Sequence, residues 1–268
     1  MNAKYFDAHC HVQFDAYTED QEQIIGQMKV EGVAGIVVGC DAASSRAAAE
    51  LAGKHDNLWA SVGLHPNRLS EEKYDEHLLR NLLMYPKVVA IGECGLDYYR
   101  PAEVTEEVKK NQQEIFERQV NLAGQTKRPL IIHARPSKGT MDAYHDALEI
   151  LIEAKALYGD DLRGDIHFFV GGEGEAQAFF DLGFTVSFTA VLTFAREYDE
   201  VVRAAPLHSI LSETDAPYVP PTNRARGSRN DPLAVKDVVA KIAEIRGEEF
   251  ETVRAALVEN ATRLFNIS

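Results

Sequence analysis

Short apolar runs alternate with longer helical patterns almost from one end of the chain to the other, and this alternation restricts the fold more than any other feature. Eight runs read as buried strands: Lys4–Ala8, Gly35–Gly39, Leu58–Gly63, Val88–Glu93, Leu130–Ala134, Asp165–Phe169, Phe184–Phe188 and Ser209–Glu213. Several are rich in Val and Ile and bounded by Gly, Pro or Asp, as covered strands should be. Helix-like stretches lie between them, at Glu19–Gly32, Ala42–Lys54, Ser70–Leu83, Glu106–Gly124, Thr140–Leu157 and Glu173–Leu182, and two more close the chain at Leu233–Ile245 and Glu248–Leu264. In Glu106–Gly124, Ile115, Gln119 and Leu122 fall at helical spacing with Phe116 and Val120 beside them, while Asn121 and Gln125 turn away. Repeated strand–helix units predict parallel strands with helical cover. Eight such units close into a (β/α)8 TIM barrel; an open doubly wound sheet is the alternative. We read residues 1–268 as one barrel domain, a length close to what that fold needs. Thr214–Pro232, rich in Pro, Gly, Arg and Asn, reads as a long loop, with Asp231 set to cap the next helix and Pro232 at its first position.

Residues able to bind metal recur where these strands end. His9 and His11 follow the first strand as His-x-His, and side chains two apart on an extended segment point the same way. His65 follows the third strand, Glu93 ends the fourth, His133 ends the fifth, His167 lies in the sixth and Asp215 follows the eighth. A barrel brings strand ends together on one rim, and imidazole and carboxylate are the usual ligands of Zn²⁺, Mn²⁺ and similar ions. One histidine at a strand end is usually structural; the ordered set makes a shared metal centre the stronger reading. His55, His77, His145 and His208 fall in helices or connections and read as surface or capping residues. Glu93 has two oxygens and is suited to bridge two ions, an arrangement that activates water and stabilises a leaving oxygen. Asp215 is a candidate ligand, catalytic base, or both. Glu213 either orients a ligand from behind or is a polar residue satisfied within the barrel mouth.

Substrate contacts are more open. Arg135 should face the same side as His133, to meet a phosphate or pair with a carboxylate. Arg224, Arg226 and Arg229, beside Asn223 and Asn230, form a basic patch in the last long loop. In so acidic a chain they suggest an anionic substrate, or else a loop held by local ion pairs. Tyr98 and Tyr99 either stack on a terminal base or pack their loop. The formal net charge of −14 argues against a broad basic face for holding DNA. Bound divalent cations invert that logic locally, so transient nucleic-acid binding remains compatible. Cys10, Cys40 and Cys94 are odd in number and widely spaced, with no disulfide or zinc-knuckle pattern; Cys94 reads as a packing residue. A reducing compartment follows. With no signal-like N-terminus and no apolar run long enough to span a bilayer, we expect a cytoplasmic enzyme with no membrane contact.

The chain resembles the TatD-type deoxyribonucleases, metal-dependent hydrolases of the amidohydrolase barrel superfamily, from Phe6 to Phe265. The resemblance rests on Asp7-Ala8-His9-Cys10-His11, Val62-Gly63-Leu64-His65-Pro66, Ile91-Gly92-Glu93-Cys94-Gly95-Leu96-Asp97-Tyr98-Tyr99 and Pro129-Leu130-Ile131-Ile132-His133-Ala134-Arg135. It continues through Ile166-His167-Phe168, Glu213-Thr214-Asp215-Ala216-Pro217, Arg226-Gly227-Ser228-Arg229-Asn230 and Asn260-Ala261-Thr262-Arg263-Leu264-Phe265. It implies two divalent ions, of Mg, Mn or Zn: one held by His9, His11, Glu93 and Asp215, the other by Glu93, His133 and His167. It places His65 beside them, touching phosphate or ordering water, and implies DNA cleavage that includes removal of nucleotides from 3′ ends. The chain departs from the family's usual His-Cys-Phe-Ser-Gly after the sixth strand, having His167-Phe168-Phe169-Val170-Gly171, and has Thr189-Ala190-Val191 where a more glycine-prone turn is common after the seventh. We therefore expect a deoxyribonuclease, with Asp215, Glu93 and His65 as catalytic residues and Arg135, His65, Arg229 and Asn230 as substrate contacts. Its DNA substrate would be held transiently, no obligate protein partner is implied, and a monomer is expected. The alternative is hydrolysis of an amide or ester, such as an aminoacyl ester on transfer RNA or a small carbonyl substrate; a binding protein with a vestigial site is disfavoured because all six metal-binding positions are intact.

Overall fold

The structure, a computed structural model, describes residues 3–101, 103–225 and 227–267. Eight strands, β1 (Tyr5–Cys10), β2 (Val33–Val38), β3 (Leu58–Val62), β4 (Val88–Asp97), β5 (Leu130–Arg135), β6 (Gly164–His167), β7 (Thr185–Phe188) and β8 (Ile210–Ser212), pair in parallel in chain order. Beyond β8 the chain returns to β1: Cys10 bridges Ala216 in parallel, and the Asp215 amide donates to the His9 carbonyl at 2.9 Å. The result is the expected (β/α)8 TIM barrel. Around it lie α1 (Gln21–Glu31), α2 (Ala42–Lys54), α3 (Glu76–Leu82), α4 (Glu106–Thr126), α5 (Asp142–Tyr158), α6 (Glu173–Asp181), α7 (Asp199–Ala204), α8 (Val235–Arg246) and α9 (Phe250–Phe265). A large apolar cluster joins strands to helices, and a smaller one sets Phe6, Ile36 and Ile131 against Leu264 and Phe265 of α9. No helix among the described residues is long and apolar enough to cross a membrane.

Most element ends shift by a few residues from the sequence reading, and three larger differences each have a local reason. The third helix starts at Glu76 rather than Ser70, because the Asp75 carboxylate caps it by accepting the Leu78 amide at 3.0 Å. The short α7 has no expected counterpart; six residues carry too little periodicity to register. The fourth strand runs four residues past Glu93, to Asp97. Gly95 makes this possible: its φ is +135°, and a Cβ there would lie 2.0 Å from the His133 carbonyl oxygen. That close passage sets Gly95 opposite His133, and His133 in turn opposite His167 on β6. Asp231 caps as expected, accepting from the Leu233 amide at 3.0 Å at the short turn Pro232–Ala234 that leads into α8.

One helix anchors two rim segments. Gln112 and Gln119 are both buried on the inner face of α4. Gln119 exchanges two hydrogen bonds with the backbone of Leu64, at 2.9 and 3.0 Å. Gln112 does the same with Asp97, at 2.8 and 2.9 Å. Each glutamine thus mimics a neighbouring strand, satisfying backbone groups that would otherwise be buried unpaired.

Candidate metal centre

The strand ends bring His9, His11, His65, Glu93, His133, His167 and Asp215 to one buried cluster, and the two oxygens of Glu93 divide it. Around Oε1 stand His133 Nδ1 at 3.0 Å, His167 Nε2 at 3.0 Å and His65 Nε2 at 3.2 Å. Around Oε2 stand His9 Nε2 at 3.6 Å and His11 Nε2 at 3.8 Å; Asp215 Oδ1 lies 3.8 and 3.5 Å from the same two nitrogens. Three overlapping groups, His9–His11–Glu93, His65–Glu93–His133 and His9–His167–Asp215, are close enough to surround an ion.

The hydrogen bonds of these rings decide which nitrogen faces inward. His11 Nδ1 lies 2.8 Å from the Val38 carbonyl, which can only accept, so Nδ1 carries the proton and Nε2 offers a lone pair. His133 Nε2 lies 3.0 Å from Asp97 Oδ2, leaving Nδ1 toward Glu93. His65 is the reverse: its Nδ1 accepts the Asn67 amide at 3.0 Å, so its Nε2 is an N–H donor pointed at Glu93. Glu213 sits behind two of the rings, its Oε1 3.5 Å from His167 Nδ1 and its Oε2 4.0 Å from His9 Nδ1, and Oε1 also accepts the Phe168 amide at 2.7 Å. His9 Nδ1, His167 Nδ1 and Glu213 Oε2 are buried and have no hydrogen-bond partner.

This donor set fits divalent metal. The ion-pair partners of Glu93 and Asp215 are all histidines among the described residues. Buried carboxylates facing imidazole lone pairs need a cation or protons between them. Burial pushes the Glu93 carboxyl up, and the imidazoles of His65, His167 and His133 pull it down by more, holding it well below the usual range. Burial likewise opposes ionisation of Asp215, and His11, His9 and His167 outweigh it.

A groove of about 1310 Å³ opens over the cluster. Its lining changes character around the barrel. The segment after β3 contributes Arg68, paired with Glu71 at 3.0 Å, the segment after β4 contributes Arg100 and the end of β5 contributes Arg135, whereas the segments after β6 and β8 contribute Phe168, Val170, Tyr218 and Val219. Arg135 lies over the Tyr99 ring, 4.2 Å from its centroid, and Tyr99 is half exposed. Tyr98 is a packing residue: it is buried, and its hydroxyl donates to Asp146 at 2.8 Å.

Two expected substrate contacts belong to the scaffold instead. Arg229 donates to Asp20 at 2.8 Å and lies over Tyr17, so its charge is already matched. Asn230 is fully buried and its amide donates to the carbonyls of Thr214 and Val219, which braces the loop holding Asp215. Arg224 pairs with Asp231 at 2.8 Å, so two arginines of the basic patch are held by local ion pairs; Arg226 lies outside the described residues. The sequence reading also missed neighbours of the centre. Cys40 Sγ lies 3.4 Å from Glu93 Oε2, a position its place just after β2 would have signalled. Asp97 and Asn67 were hidden because the fourth strand was expected to end at Glu93. Cys94, as expected, is buried packing.

Residues 6–266 match the profile of the family described as TatD related DNase. The chain is 36% identical to the uncharacterized metal-dependent hydrolase YabD of Bacillus subtilis (strain 168), over 98% of this chain and 99% of that one. It is 30% identical to the 3′-5′ ssDNA/RNA exonuclease TatD of Pantoea ananatis, over 98% and 99%. The crystal structure of YjjV, a TatD homolog from Escherichia coli K12, superposes with a TM-score of 0.86 at 27% identity, covering all of both chains.

Proposed function

This chain belongs to the TatD-related DNase family and is a metal-dependent hydrolase; from that premise we propose that it hydrolyses phosphodiester bonds in DNA at a site for two divalent ions, removing nucleotides from the 3′ end. The observation that carries this reading is the division of imidazoles between the two oxygens of Glu93. His9, His11, Asp215 and Glu93 would hold one ion; Glu93, His133 and His167 would hold the other. The histidine content suits Zn²⁺ and Mn²⁺, and phosphodiester chemistry also uses Mg²⁺. When bound, such ions lower the pKa of water and stabilise charge on the reacting phosphate. The name carried by the Pantoea relative supports the exonuclease reading.

The chain's own residues do the rest. Asp215, ionised and at the groove floor, accepts the proton of the attacking water. His65, with its N–H inward, donates to a phosphoryl oxygen. Arg135 and Arg100 take backbone phosphates along one side of the groove, and Tyr218 offers a half-exposed ring to a base. With a net charge of −14 the protein holds DNA transiently; we take it to act as a monomer in the cytoplasm.

The test is cleavage of end-labelled single- and double-stranded DNA by metal-stripped protein, with Mg²⁺, Mn²⁺ and Zn²⁺ restored one at a time. The expected result is a ladder that shortens from the 3′ end, appears only with metal and is absent in Glu93→Ala. No cleavage of either DNA with any ion would sink the nuclease reading and direct the search to esters and amides.

A further inference from the structure

Asp97 closes β4 as a fully buried carboxylate with every polar atom engaged. Its Oδ2 accepts from His133 Nε2 at 3.0 Å and from Asn67 Nδ2 at 2.8 Å. Its Oδ1 accepts the backbone amides of Tyr99 and Arg100, both at 2.9 Å. Its own backbone is clamped by Gln112. One oxygen therefore faces a ring of the metal centre, and the other folds the turn that delivers Arg100 to the groove.

We propose that Asp97 is a positioning residue that fixes His133 as the Nε2-protonated tautomer, with Nδ1 turned to the metal centre, and at the same time builds the turn that carries Arg100. The proposal rests on the reading of His133 as a metal ligand. An imidazole donating Nε2–H can offer only Nδ1, and that atom is the one 3.0 Å from Glu93. The same carboxylate thus prepares a ligand for a cation and a cation for a phosphate.

Asparagine separates the two tasks. Its carbonyl oxygen still accepts the Tyr99 and Arg100 amides, but its NH2 group faces the Nε2–H of His133, donor against donor. Mn²⁺ binding is read by paramagnetic resonance on the full, metal-stripped chain as parent, Asp97→Asn, His133→Ala and the double variant. One Mn²⁺ is expected to bind Asp97→Asn about 10–100-fold more weakly than the parent. The double variant should bind no worse than His133→Ala, because Asp97 acts through that ring. Histidine ¹⁵N spectra of the parent, which need no variant to fold, should show His133 protonated on Nε2. Parental Mn²⁺ affinity in Asp97→Asn, additive losses in the double variant, or a proton on His133 Nδ1 would overturn the proposal. A parent that binds no Mn²⁺ at all would overturn the metal reading beneath it, and this proposal with it.

Discussion

At the scale of single residues, Asp142 shows how much one carboxylate can gather. It accepts from the Ser137 amide and hydroxyl, the Thr140 hydroxyl and the Ala143 amide, and pairs with Lys109 at 2.8 Å. Burial pushes its carboxyl up, but Lys109, Ser137 and Thr140 pull it further down, below the usual carboxylate range. The folded protein therefore binds fewer protons here than the unfolded chain. The stabilisation is complete above the unfolded value of about 3.9 and is lost as pH falls through the lower folded value. Urea unfolding should find Asp142→Asn less stable than the parent by about 1–3 kcal/mol at neutral pH. That gap should narrow in acid; a gap that does not change with pH would show that charge is not what holds this corner. Residues of this kind separate what a sequence reveals from what it hides. The clustering of His9, His11, Glu93, His133, His167 and Asp215 is legible because strand ends must converge in a barrel. Arg229 was misread because nothing in the sequence tells that Asp20, about two hundred positions earlier, already holds it. Asp97 was quoted in a motif but given no role, since its value depends on which nitrogen of His133 it touches.

At the scale of elements, periodicity shows which face of α4 is inward but not what that face does there. Gln119 falls among Phe116, Val120 and Leu122, where a hydrophobic pattern would ask for an aliphatic residue. Its amide instead substitutes for a missing strand beside Leu64, next to His65. Gln119→Leu should leave a buried N–H and C=O unpaired at a cost of about 1–3 kcal/mol each. The check is chemical denaturation; a loss below about 1 kcal/mol would mean that water or a shifted loop replaces both bonds. Most strand centres were legible because covered parallel strands are continuous apolar runs. Their ends were less so: β4 outruns its apolar core because of a glycine's backbone, not because of a side chain. The lining after β6, Phe168 and Val170, is visible in sequence as apolar, but only the barrel's order shows that it lies around the groove from the arginines.

At the scale of the whole molecule, the cluster of buried acids is electrostatically unfinished without cations. An ion that binds the folded chain alone stabilises it by about 2.7 kcal/mol at one hundred times its Kd. At roughly 2–4 °C per kcal/mol for a chain of this size, losing one such ion should lower Tm by about 5–10 °C, and chelating two by about twice that. Differential scanning calorimetry with and without chelator checks this, and Glu93→Ala should show a much smaller shift. An unchanged Tm in the parent would mean that the cluster holds no metal at the concentrations used.

The net charge of −14 acts on the two visitors in opposite senses. Its long-range field attracts divalent cations to the molecule and, under the nuclease reading, disfavours approach of a polyanionic strand. Dissolved salt mutes both effects, with a screening length of about 10 Å at 0.1 M. Under the nuclease reading, ionic strength tunes recruitment of metal and encounter with substrate against each other, and turnover measured against salt should peak at an intermediate level; a steady fall or rise would show that only one of the two matters.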